Sequence, residues 1–147
     1  MKQLIFFLFV IATFSTDIFA QQFKVVTIIE SIVPGGAGRS RIIESKTDIN
    51  AADLTTERTD GKDSKQGDID RKDAKVEAFA ETKLLNFFSM VGINFQNIAS
   101  NDAIITSKIN TLISEGWKLT FVTSGVESDA GKDDNSGIFI TRLFFSK

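Results

Sequence analysis

Apolar and polar positions change their spacing several times along the chain, and each change marks a different element. Residues 22–33 (QFKVVTIIESIV) are β-branched and dense in apolar side chains, lack a helical period and stop at Pro34. Such a run predicts a strand. Pro34-Gly35-Gly36-Ala37-Gly38 predicts a turn and Arg39 to Ile43 a returning strand, which together make an expected hairpin with a glycine-bearing loop. From residue 44 to 75 half of the positions are charged, acids and bases interleave, and the apolar residues stand alone. Burial there is too small to offset the entropy of ordering, so the segment is expected to be a long mobile insertion with a short helix near Asn50 to Leu54.

Helical spacing follows. Val76, Phe79, Ala80, Leu84, Phe87, Phe88 and Val91 share one stripe, which predicts a helix from about Ala74 to Met90, ended by Gly92. Residues 92–100 read as a packed connection anchored by Ile93, Phe95 and Ile98. Asn101 or Asp102 is then placed to cap a second helix, with Ile105, Ile109, Leu112 and Ile113 on its inner face. Glu115-Gly116 closes it, Gly116 being suited to the left-handed C-terminal position. Residues 117–124 alternate, with Trp117, Leu119, Phe121 and Thr123 facing one way. After a polar loop at 127–136, residues 137–145 form a closing strand that pairs back as a hairpin. The expected class is α+β: a small antiparallel sheet of about four strands, two helices packed on one of its faces, and the long mobile insertion.

The first twenty residues change the picture of where the chain works. Lys2, the apolar run Leu4 to Phe14 and a more polar approach to Ala20 have the layout of a secretory signal peptide, with cleavage expected between Ala20 and Gln21. The run is too short for a membrane span, which takes about 20 apolar residues. Residues 21–147 are therefore expected as a single exported α+β domain, periplasmic or extracellular, without a stable membrane span. About four strands also fall short of the eight that the smallest membrane barrels use.

Composition narrows the chemistry. The chain has no Cys, no His and no Tyr, which removes disulfides, thiolate metal sites and most general bases. A net charge of −2, with the aromatic residues set apart from Lys and Arg, argues against nucleic acid. No cofactor and no metal are expected. Asp129, Asp133, Asp134 and Asn135 supply oxygen ligands, but their spacing does not fit a calcium loop. Phe87, Phe88, Trp117, Phe121, Phe144 and Phe145 are expected in the core or at an interface.

Two constellations remain. Glu30 lies inside an apolar strand, and pairing with Arg142, the one charge of the closing strand, would make a satisfied cross-strand pair. Arg39, Ser40 and Arg41 follow the glycine run and are candidate anion ligands, although the Walker ending is missing and a strand, not a helix, follows. The leading expectation is a non-enzymatic exported domain that binds a protein or another envelope partner. The alternatives are a small-ligand or anion-binding domain using the Gly35–Arg41 loop, and a carboxylate-based hydrolase using Glu30.

Three pieces carry a resemblance: Phe23-Lys24-Val25-Val26, Ile109-Asn110-Thr111-Leu112 leading into Glu115-Gly116-Trp117-Lys118-Leu119, and Ile138-Phe139-Ile140-Thr141-Arg142. They resemble the bacterial domain-of-unknown-function family 4177, and the runs 34–41 and 94–109 are similar to secreted hypothetical proteins of the Bacteroidetes. The resemblance implies a compact β-α-β-β unit and assigns no functional residues.

Overall fold

The alternation of Val26 and Ile28 with Thr27 and Ile29 sends one side of the first strand inward, and the rest of the architecture assembles on that side. A computed structural model of the protein describes residues 21–33, 39–127 and 137–147. The expected signal peptide, the Pro34–Gly38 turn and the acidic positions Asp129, Asp133, Asp134 and Asn135 lie outside the described residues. Among the described residues, strands β1 (Phe23–Ser31), β2 (Arg41–Ser45), β3 (Phe79–Lys83), β6 (Lys118–Glu127) and β7 (Ile138–Ser146) form one sheet in the order β3-β2-β1-β7-β6. Every neighbouring pair is antiparallel. A second, two-stranded ribbon joins β4 (Phe88–Ser89) to β5 (Gly92–Ile93). The one α-helix among the described residues, α1 (Phe95–Ser114), carries the chain from the β3 side of the sheet to β6 at its far edge.

The inner face of the sheet contributes Val26, Ile28, Ile42, Leu143 and Phe145 to a core that Leu84 and Leu112 complete. Ile104, Ile105, Ile109, Trp117 and Leu119 pack against it. Burying a large apolar side chain is worth about 1.5–3 kcal/mol, so these few residues supply most of the drive to fold. At the end of α1, the Gly116 N–H donates to Ile113 O and the Trp117 N–H to Leu112 O. Gly116 sits at φ +90°, the left-handed conformation that such an ending requires.

The helix expected from Ala74 to Met90 is absent. Phe79–Lys83 is an edge strand paired residue by residue with β2, from Arg41 opposite Lys83 to Ser45 opposite Phe79. The outer backbone groups of β2 need a partner, and that demand outweighs a helical spacing whose Val76 and Phe79 remain exposed. Only Leu84 from that stripe enters the core. The described residues therefore have one α-helix and five main strands where two helices and about four strands were expected.

The helix that does form begins upstream of its expected cap. Asn94, not Asn101 or Asp102, is the N-cap, and its side chain accepts a hydrogen bond from the Asn97 N–H. Asn101 is instead fully buried in mid-helix. The charged connection starts after β2, so Glu44 and Ser45 belong to the sheet. Three short 3-10 turns, Ala51–Leu54, Thr59–Gly61 and Gln66–Asp68, punctuate it, the first capped by the Asn50 side chain.

The alternation expected over residues 117–124 is broken by a bulge. Leu119 lies opposite Phe145 and Phe121 opposite Phe144, which leaves Thr120 as an extra residue. Leu119 and Val122 consequently share the helix face, while Phe121 and Thr123 turn to the other side.

Candidate functional site

α1 covers one face of the sheet, and among the described residues nothing covers the other. β-branched and aromatic side chains alternate onto this open face from every strand: Phe23, Val25 and Ile29 from β1, Ile43 from β2, Phe79 from β3, Phe121 from β6, and Ile138, Ile140 and Phe144 from β7. Phe23 is 66 % exposed, Phe121 61 % and Phe79 49 %. The rings of Phe121 and Phe144 lie 5.8 Å apart, tilted by 51°. Ile29, Ile43, Ile138, Ile140 and Phe144 are partly shielded by their neighbours, so the apolar surface that this face presents comes mainly from Phe23, Val25, Phe79 and Phe121. At its far end a shallow depression lies between Thr123, Glu127, Ile140 and Arg142, over Gly125.

Glu30 and Arg142 do not meet. The register sets Arg142 opposite Thr27 and Glu30 opposite Phe139, and the odd offset puts the two charges on opposite faces of the sheet. Glu30 points to the helix side, where Asn101 Nδ2 donates to its carboxylate at 2.9 Å. Burial raises the Glu30 pKa, the Asn101 hydrogen bond opposes the rise, and the charge of Asp102 adds to it. Asn101 also holds the backbone after β3, donating to Leu85 O and accepting from the Leu85 N–H, both at 2.8 Å. The arrangement is a helix-to-sheet tie.

The anion-ligand candidates are also drawn into the fold. Ser40 is buried, and its hydroxyl accepts from the Ser31 N–H at 2.9 Å and donates to Asn86 Oδ1 at 3.0 Å. Arg41 pairs with Glu81 on the neighbouring strand, and Arg39 is exposed. With its hydroxyl occupied on both sides, Ser40 is committed to the fold.

The charged site that composition concealed is Glu44. Opposite Val26 on the inner face, its side chain is 4 % exposed and is met by Lys24 at 2.8 Å, Lys46 at 3.1 Å and Lys108 of α1. Burial works against its ionisation, but hydrogen bonds from Lys108, Lys24 and Lys46 prevail and hold the carboxyl at about 2. Lys24 also lies 4.8 Å from the centre of the Trp117 ring. This cluster closes the open end of the core with charges that satisfy one another. Ile42 and Glu44 share a strand face, and that alternation was the signal for an inward-facing Glu44.

Every buried side-chain nitrogen and oxygen among the described residues has a hydrogen-bond partner. No group of three or more metal-ligating side chains gathers among them, and no helix there is long and apolar enough to cross a membrane. Compared with family models, with curated proteins and with solved structures, the chain matches none.

Proposed function

We propose that this chain is an exported, non-enzymatic domain that binds a protein partner of the cell envelope on the open face of its sheet. One observation carries the proposal: Phe23, Val25, Phe79 and Phe121 expose large apolar side chains on a face that no described element covers. Three polar groups of the inner face are engaged in the fold, Ser40 with Ser31 and Asn86, Glu44 with its lysines, and Glu30 with Asn101. The leader-like residues 1–20 support the export half of the reading.

The test is a photo-crosslinking amino acid placed at position 23, 79 or 121 in the producing cells, with position 73 in the charged connection as a control. One protein adduct common to the three face positions and absent at 73 is the expected result. Adducts of equal yield at 73, or none at the face positions, would remove the basis for this docking surface.

A further inference from the structure

We propose that β6 is a self-pairing edge through which two copies of the chain join their sheets into one, a step beyond docking on the open face. β6 is the terminal strand of its sheet, and residues 120–127 are exposed along their whole length. Between Lys118 and Glu127 it carries no charge and no proline. Natural edge strands are normally blunted by those devices, by bulges or by shortness, and the one bulge of β6, at Thr120, leaves residues 121–127 in unbroken register. The opposite edge obeys that rule, since β3 has five residues and bears Glu81 and Lys83.

The occupant follows from the bulge. Lys118 and Glu127 are nine positions apart and on a regular strand would face opposite ways. The extra residue at Thr120 corrects this, so that Lys118, opposite Ser146, and Glu127, opposite Ile138, lie on the same open face. An antiparallel pair of β6 strands with its two-fold axis at Thr123 then places Lys118 of each copy opposite Glu127 of the other. Within the same register Leu119 meets Val126 on the helix side, and Val122 meets Ser124. On the open side Phe121 meets Gly125, and Thr123 meets its own copy. Every opposed pair shares a face, and both ends are matched in charge.

Gly125 adds an independent observation. It lies mid-strand without a positive φ, and a Cβ built on it would meet nothing within 4 Å. Neither its backbone nor any described neighbour calls for glycine there, and close approach of another surface is one of the reasons a strand carries glycine. The Phe121 ring of the second copy, 61 % exposed in one copy alone, fits over that gap. Because the contact is isologous it closes at two copies.

Sedimentation velocity on the purified chain over a concentration series tests the proposal, with circular dichroism to check that each variant keeps its fold. The wild-type chain is expected to dimerise. Lys118→Glu and Glu127→Lys are each expected to weaken the dimer by about tenfold, since two attractive pairs become repulsive. Mixed together, the two variants should pair with each other, and the double variant should regain the wild-type affinity. A wild-type chain that stays monomeric, a dimer indifferent to all the charge changes, or growth beyond two copies would each overturn the proposal. Positions 23 and 79 lie on β1 and β3, away from this edge, and their crosslinks are scored apart from position 121, so either reading can fail alone.

Discussion

Glu44→Gln keeps the shape of a side chain while removing the one negative charge beneath three lysines. The Glu44 carboxyl is held at about 2 against an ordinary 4.5. At 1.36 kcal/mol per pKa unit this drop sets a ceiling of about 3.4 kcal/mol on what ionised Glu44 contributes to stability. Solvent lowers that figure, because the Lys46 side chain is 52 % exposed and those of Lys24 and Lys108 about a quarter. With screening included, a loss of about 2 kcal/mol at neutral pH is expected. The folded pKa lies below the unfolded one, so the contribution is fully present above pH 4.5 and fades as the pH falls toward 2. Urea unfolding of both proteins across that range is the assay. The variant should be weaker at neutral pH, and the two curves should converge in acid. A gap that is absent at neutral pH, or that persists unchanged into acid, would refute the assignment of Glu44 as an ionised, lysine-held plug.

Phe145 is fully buried at the centre of the core, so Phe145→Ala should cost about 3–5 kcal/mol in the same unfolding assay. Asn101→Ala leaves the Leu85 N–H and C=O without their side-chain partner, and a loss of about 2–3 kcal/mol is expected by thermal or urea unfolding. Glu30→Gln should stabilise the fold at neutral pH. Its folded pKa is raised, so the ionised form is disfavoured as the pH rises through that value, and the gain should vanish below pH 4.5, where the carboxyl is neutral in both states. Gly116→Ala forces an alanine to φ +90° with its Cβ 3.3 Å from Lys147 Cε, and a fall of about 1–2 kcal/mol in unfolding free energy is expected.

Strand positions fixed by long apolar runs were legible from the chain alone: β1, β2 and β7 lie within a few residues of where their patterns begin and end. Gly116 was legible for the same kind of reason, since few residues tolerate its conformation. What escaped depended on distant partners. Phe79–Lys83 carries a helical spacing and becomes a strand because β2 offers it an edge. Asn101 looks like a cap and is buried because Glu30 and Leu85 lie opposite it in space. The bulge at Thr120 leaves no mark in the alternation of residues 117–124, yet it decides which side chains reach the open face. Glu44 was masked by its neighbours' composition, although its spacing from Ile42 on one strand face pointed inward.

The pairing of β1 with β7 runs from Phe23 opposite Ser146 to Ser31 opposite Ile138, and Gln22 and Lys147 exchange backbone hydrogen bonds just beyond it. The middle of the sheet therefore waits for residues near 146 to leave the ribosome, and a nascent chain holding only β1, β2 and β3 lacks Leu143 and Phe145 from its interior. Closure of β7 onto β1 is thus a late event of long sequence separation, and until it happens the central strand keeps one edge unpaired.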